Sequence, residues 1–113
     1  MREIEAAVAA GNPRAIMTLN VYNYRIKKYI GAYAAAMGGC DILVWTGGVG
    51  ENQWATRRVV CENMEYMGMK IDVEKNEGMR GEEMVISTPD SKVTIIVVPT
   101  DEEFMIAADT LEI

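Results

Sequence analysis

A short apolar run bounded by glycines constrains the fold of this 113-residue chain more than any other feature. The run is DILVWT at positions 41–46, with Gly38-Gly39 before it and Gly47-Gly48-Val49-Gly50 after it. Nearly continuous apolar runs of this length are typical of strands that are buried on both faces in parallel sheets. We therefore predict a doubly buried strand at 41–46 with a glycine loop at its carboxyl end.

Apolar spacing and cap residues predict helices on both sides of this strand. The predicted helices cover residues 4–10, residues 13–37, residues 53–66 and a last segment that starts at Asp101. Asn12 is the expected N-cap of the long helix, with Pro13 at its first position, and Gly38 ends it. One apolar stripe runs along the long helix and consists of Leu19, Tyr22, Ile26, Tyr29, Tyr33 and Met37.

Further strands are predicted at 69–73, 84–87 and 93–98, and a turn over 88–92 joins the last two. Residues 74–83 are polar and are predicted to form a surface loop. Strands that alternate with helices indicate an α/β fold, and the length of the chain allows one domain.

Composition excludes several classes of function for this chain. The 11 Lys and Arg residues against 17 Asp and Glu give a net charge of −6, which disfavours nucleic acid as a partner. No histidine is present, so a Ser-His-Asp triad and a His-ligated zinc are excluded. Cys40 and Cys61 are predicted to be free thiols, and neither a signal peptide nor a membrane-spanning run of about 20 apolar residues is visible. We expect a cytoplasmic protein that binds no membrane.

The glycine loop is the first candidate site. Glycines between a strand and a helix let a backbone approach a ligand closely, and a helix start offers unpaired N–H groups. The loop lacks the Gly-Lys-Ser/Thr of a Walker A motif, and the third glycine of a dinucleotide fingerprint would fall on Gln53. The pattern alone leaves a plain tight turn and a nucleotide contact equally open. Asn52 is expected either to contact a polar edge of a ligand or to cap the following helix.

The second candidate site is Pro99-Thr100-Asp101-Glu102-Glu103, between a strand and the last helix. Thr100 and Glu103 fit a capping box, which gives Glu103 a structural role. Asp101 and Glu102 are less explained. Carboxylates at the end of a strand can hold Mg²⁺, and stabilisation of the helix start is the alternative.

Several segments together resemble the acetate kinase family, in the order and spacing of that family. They are YRIKKYIGAY at 24–33, TGGVGEN at 46–52, IDVEKN at 71–76, STPDSK at 87–92 and PTDEE at 99–103. The resemblance covers essentially the whole chain. It implies one partial domain at 1–113, the C-terminal nucleotide-binding part of such an enzyme, without the N-terminal domain. The implied α/β fold is that of the sugar kinase, Hsp70 and actin (ribonuclease H-like) superfamily, which binds nucleotide in a cleft between two domains.

The resemblance also implies an activity. Acetate kinases transfer the γ-phosphoryl group of ATP reversibly to acetate, giving ADP and acetyl phosphate, with Mg²⁺. The implied adenosine-binding residues are Arg2, Gly47, Gly48, Val49, Gly50 and Asn52. Glu102 is the implied metal-side residue, and no catalytic residue is assigned to this chain, which is expected to be inactive alone. The family dimerises through its C-terminal domains, so the long helix is a candidate interface of a homodimer.

Departures from the family pattern leave two alternatives. Asp101 stands where the family usually has Asn, and Ala108 where it commonly has Arg, whereas the changes at Trp45 and Val49 are mild. One alternative is a catalytically inactive module that binds nucleotide or oligomerises. The other is part of a related propionate or butyrate kinase, because the residues that select the acceptor acid are not expected in this chain.

Overall fold

The computed structural model describes residues 2–99, and within them it has a mixed α/β architecture. The elements in chain order are α1 (Arg2–Ala9), α2 (Pro13–Met37), β1 (Ile42–Trp45), α3 (Gly47–Asn52), α4 (Trp54–Cys61), a 3-10 helix (Glu65–Met67), α5 (Val73–Asn76), β2 (Met84–Val85) and β3 (Thr94–Val97). The predicted α/β class is confirmed. The helix predicted from Asp101, the capping box and Glu102 lie outside the described residues.

The bounds of α2 are those predicted from its cap residues. The Asn12 side-chain oxygen accepts hydrogen bonds from the backbone N–H groups of Arg14 at 3.0 Å and Ala15 at 3.2 Å. At the other end, Gly38 adopts a left-handed φ of 80° that favours glycine. These caps satisfy backbone groups that a helix end otherwise leaves unpaired.

The predicted apolar stripe of α2 divides into two parts. Leu19, Tyr22 and Ile26 are half-buried, whereas Tyr29 and the residues beyond it on the stripe are exposed. A separate exposed set lies nearer the start of the helix and consists of Ile16, Met17, Val21 and Tyr24. Two separate parts of α2 therefore present apolar and aromatic side chains that no described element covers.

The sheet has the strand order β1-β3-β2. β1 and β3 are parallel and pair Leu43 with Ile95, while β2 is antiparallel to β3. The strand predicted at 69–73 is wrong. Only a single bridge between Ile71 and Ser87 forms there, because the chain turns into α5 at Val73.

Residues 2–99 bury only one face of β1, and not both faces as predicted. Trp45 is buried and Leu43 is half-buried, but Ile42 is 59% exposed and Val44 is 50% exposed. The packed face of β1 belongs to one core, which also contains side chains of α4, of β3 and of the segments between them. The core residues are Trp45, Val60, Cys61, Met64, Met69, Met79, Ile86, Val93, Ile95 and Val97. The opposite face of β1 is apolar as well, but none of residues 2–99 covers it.

Two further segments differ from the prediction. The helix predicted over 53–66 ends at Cys61, because Asn63 takes a left-handed φ of 58° before the 3-10 helix begins. The sequence predicts a surface loop over 74–83, but Asn76 is fully buried and Met79 is 9% exposed. This segment therefore contributes to the interior.

Cys40 and Cys61 are both free thiols, as predicted. Burial raises the pKa of Cys61 to about 12, against smaller opposing effects of Trp45, Lys27 and Arg57.

Among residues 2–99, none of the helices has the length and apolar character needed to span a bilayer.

Candidate functional site

The segment after β1 is a short helix and not the predicted loop. Residues Gly47–Asn52, the glycine segment, form α3, and Gln53 then breaks the helical conformation before α4 starts. The Gln53 N–H donates to the Val49 carbonyl at 2.9 Å and closes α3. Strand, glycine-rich turn of helix and second helix follow one another at the carboxyl end of β1.

The glycines of this segment differ in what requires them. Gly47 has a φ of 75°, a backbone conformation that other residues rarely adopt. At Gly50, a Cβ atom would lie 3.0 Å from the carbonyl carbon of Trp45, so the close approach of two backbones disfavours a side chain. Gly48 has neither constraint, because its φ is ordinary and nothing lies within 4 Å of a Cβ placed there. The described fold explains Gly47 and Gly50 but not Gly48.

Asn52 lies on the same exposed part of α3 as Gly48. Its side-chain nitrogen donates to the Gly48 carbonyl at 3.0 Å, and the residue is exposed. Asn52 does not cap the next helix, which was one of its two expected roles, because Gln53 is the N-cap of α4. Val49 is half-buried beside them. Gly48, Val49 and Asn52 thus form one small surface with open space at Gly48.

A buried arginine supports the glycine segment from behind. Arg57, in α4, has no exposed surface and donates four hydrogen bonds. Its Nη1 reaches the carbonyls of Gly50 at 2.8 Å and Glu51 at 3.0 Å. Its Nε reaches the Asn76 side-chain oxygen at 2.7 Å, and its Nη2 reaches the Met79 carbonyl at 2.6 Å. Loss of hydration on burial lowers the pKa of Arg57, against a smaller opposing effect of Cys61.

The segment after α5 is tied to the same place. The Asn76 side-chain nitrogen donates to the Trp54 carbonyl at 2.9 Å, and the Gly81 N–H donates to the Glu51 carbonyl at 3.1 Å. Sequence reasoning missed both Arg57 and Asn76. Each stands in a polar stretch whose pattern resembles a solvated surface, and only the fold brings the two side chains together in the interior.

The remaining predicted site residues fall outside what the structure describes. The side chain of Arg2 is not described, and Glu102 lies beyond residue 99. Within residues 2–99, no group of three or more His, Cys, Asp or Glu side chains is arranged to hold a metal ion. The structure therefore brings Gly47, Gly48, Val49, Gly50 and Asn52 together and leaves the metal-side prediction untested.

A groove of about 620 Å³ lies elsewhere, along the N-terminal half of α2. Its lining is largely apolar and consists of Pro13, Ile16, Met17, Asn20, Val21 and Tyr24. The glycine segment contributes no residue to this groove, so the groove is a separate feature of the surface.

Comparison with known proteins identifies the family. The family model described as the acetokinase family matches residues 1–108. This chain belongs to the acetokinase family. The acetokinase chain is 99% identical over 113 residues to a protein named acetate kinase from Parabacteroides distasonis and 67% identical to one from Porphyromonas gingivalis. It spans 28% of the length of each of these relatives.

Solved structures agree with the family and the fold. The acetate kinase of Porphyromonas gingivalis matches 98% of the acetokinase chain with a TM-score of 0.94 at 67% identity, and the chain covers 28% of it. A propionate kinase from Francisella tularensis matches 94% with a TM-score of 0.80 at 32% identity, and the chain covers 27% of it. These kinases have the sugar kinase, Hsp70 and actin fold, so the predicted resemblance and fold class are confirmed.

Proposed function

We propose that this acetokinase chain supplies the adenosine-binding surface of an acetate kinase. Such an enzyme transfers the γ-phosphoryl group of ATP reversibly to acetate and gives ADP and acetyl phosphate. The proposal is supported by the family match over residues 1–108 and by relatives that are named acetate kinases. The chain is one partial domain of that enzyme, and the opposite side of the nucleotide cleft belongs to a second domain outside it.

Gly48 is the observation that carries this proposal. Within a helix, glycine is less stable than alanine by roughly 0.5–1 kcal/mol, and the described fold leaves room for a side chain at this position. A ligand that approaches the backbone closely explains why no side chain is present. The adenine ring of a nucleotide is flat and broad enough to use such an approach, with the Asn52 amide at the polar edge of the nucleoside.

The other residues of the surface have supporting roles in the proposal. Gly47 and Gly50 give the turn its shape, since one has a positive φ and the other packs on the Trp45 backbone. Val49 supplies apolar contact. Arg2 flanks the adenosine by family resemblance alone.

The metal and the chemical step depend on residues beyond those described. Glu102 would hold Mg²⁺, whose charge neutralises the phosphates and positions them for transfer. No catalytic residue is proposed within this chain, so the isolated chain has no phosphotransferase activity. Formation of acetyl phosphate by the purified chain would contradict this part of the proposal.

Kinetics of glycine variants test the adenosine surface. In the full-length Parabacteroides distasonis enzyme, we expect Gly48→Val to raise the KM for ATP by about tenfold or more without lowering the melting temperature. Gly31→Val is the matched control, because Gly31 is also helical with nothing within 4 Å of an added Cβ. An unchanged KM for ATP in Gly48→Val would contradict the proposal.

The acceptor acid is open to a second candidate. The relatives at 99% and 67% identity are named acetate kinases, whereas a propionate kinase of known structure is 32% identical, so similarity favours acetate over propionate. Relative kcat/KM values for acetate, propionate and butyrate decide between them. A higher value for propionate or butyrate than for acetate would favour the second candidate.

We also propose that the enzyme is a cytoplasmic homodimer that uses the exposed aromatic surface at the C-terminal end of α2. Tyr29, Tyr33 and Met37 are 53%, 65% and 70% exposed, and the two tyrosine rings stack with centroids 6.3 Å apart. Exposed aromatic patches of this kind favour protein contacts. In sedimentation of the full-length enzyme, Tyr33→Glu should give a monomer. Tyr66→Glu is the control, because Tyr66 is 81% exposed and lies outside α2, and it should remain a dimer. A dimer that survives Tyr33→Glu would argue against this interface.

A further inference from the structure

We propose that Arg57 is a positioning residue for the adenosine surface and sets nucleotide affinity without touching the nucleotide. Its guanidinium fixes the carbonyls of Gly50 and Glu51 on the inner side of the glycine segment and joins them to residues 76–79. This inference rests on the proposed function of the glycine segment. It adds a residue to which neither the family resemblance nor the motifs assign a role.

The acceptor geometry suits a guanidinium and no other side chain. The acceptors of Arg57 lie between 2.6 and 3.0 Å and surround the planar group on its Nε, Nη1 and Nη2 sides. A guanidinium holds its N–H donors in a fixed plane, whereas a lysine ammonium is a single point that cannot reach all of these atoms at once. Arg57→Lys therefore keeps the charge and loses the geometry.

The surroundings of Arg57 make it dependent on these backbone acceptors. The side chain is fully buried, and its four acceptors are three carbonyls and one amide, all uncharged. A buried cation without a carboxylate partner is costly, so its position is determined by the oxygens that solvate it. In turn, the Arg57 guanidinium fixes the positions of the Gly50 and Glu51 carbonyls.

The hydrogen bonds of Arg57 act on the part of α3 that lies behind the ligand surface. Gly50 is pressed against the Trp45 backbone on one side and bonded to Arg57 through its carbonyl. Glu51 accepts from both Arg57 and the Gly81 N–H. With its last residues fixed on two sides, α3 presents Gly48 and Asn52 in one arrangement. Preorganisation of this kind raises affinity by reducing the ordering cost of binding.

The test uses the full-length Parabacteroides distasonis acetate kinase with substitutions at the aligned positions. Arg57→Lys is expected to raise the KM for ATP by about tenfold, while kcat and the KM for acetate change by less than about twofold. Arg58→Lys is the matched control, because the neighbouring Arg58 is exposed. A purely structural role would lower the melting temperature and leave the KM for ATP of the folded enzyme unchanged, and that result would overturn the inference.

Two further variants keep the inference falsifiable. If Arg57→Lys does not fold, Asn76→Ala removes the Nε acceptor and the Asn76 bond to the Trp54 carbonyl, but it leaves the bonds from Arg57 to its three backbone carbonyls. It should raise the KM for ATP by about threefold. An unchanged KM for ATP there would overturn the inference. Asn52→Ala in the same enzyme separates the two proposals. If it raises the KM for ATP and Arg57→Lys does not, only the role of Arg57 fails; if neither raises it, the adenosine surface itself is wrong.

Discussion

Two basic side chains, Arg57 and Lys70, make contacts of nearly the same length but differ in what surrounds them. Arg57 is fully buried, and its shortest bond, to the Met79 carbonyl, is 2.6 Å. Lys70 pairs with Asp90 at 2.7 Å, and the two side chains are 45% and 68% exposed. Judged by distance alone, the two contacts would contribute equally to stability. Burial makes them different, because water can replace the partner at one site and not at the other.

The consequence for the fold follows from this difference. An exposed ion pair is screened by solvent and contributes little to stability. If Arg57 is removed, the carbonyls of Gly50, Glu51 and Met79 lose their donor away from water. The buried arginine therefore organises the region around the glycine segment, whereas Lys70 and Asp90 form an exposed ion pair at the surface.

The largest expected effect is that of Arg57→Met on stability. Removal of the donor leaves several buried acceptors unsatisfied, so we expect the free energy of unfolding to fall by at least about 3 kcal/mol. Urea unfolding measures this free energy. Arg58→Met is the control, because Arg58 is exposed, and it is expected to change the free energy of unfolding by less than about 0.5 kcal/mol. Equal effects of the two substitutions would remove the basis of the comparison.

A smaller effect is expected for Gly50→Ala. The added Cβ would lie 3.0 Å from the Trp45 carbonyl carbon, which is backbone and cannot turn away. Overcrowding of this kind costs about 1–3 kcal/mol, and the shift would also lengthen the bond from Arg57 to the Gly50 carbonyl. Thermal unfolding of Gly50→Ala is compared with that of Gly48→Ala, which should be the less destabilised variant because nothing lies within 4 Å of a Cβ at Gly48. If Gly48→Ala is the more destabilising, the distinction between the two glycines is wrong.

The smallest effect is expected for the surface ion pair. Hydrogen bonds from Lys70 and Thr88, together with the Lys70 charge, lower the pKa of Asp90 to about 2. The pKa of Asp90 in the folded chain lies below the unfolded value of about 3.9. The ionised Asp90 carboxylate therefore stabilises the fold fully above pH of about 4, and this stabilisation is lost as pH falls through about 2. Urea midpoints of the chain and of Asp90→Asn should differ slightly at pH 6 and converge near pH 2. A difference that grows as pH falls would contradict this assignment.

Sequence reasoning was most successful where local chemistry decides the structure. Asn12 and Gly38 set the ends of α2 because a cap depends on a few neighbouring residues. Trp45, in the strand predicted to be buried, lies in the core. Local pattern could not settle what covers the second face of β1, and Val44 is half exposed there.

The candidate site was predicted only in its front part. The glycine pattern located the segment, although a loop was expected where α3 forms. The role of Arg57 depends on Asn76, nineteen residues away, and on carbonyls that carry no sequence signature. A long-range hydrogen-bond network of this kind cannot be inferred from residue types and spacing.

A crystal structure of the full-length Parabacteroides distasonis enzyme with bound ADP tests the central claim most directly. The account predicts that the adenosine lies against Gly48 and Asn52, with Arg57 still bonded to the Gly50 and Glu51 carbonyls and making no contact with ADP. Adenosine bound elsewhere, with the surface of Gly48 open to solvent, would contradict the account.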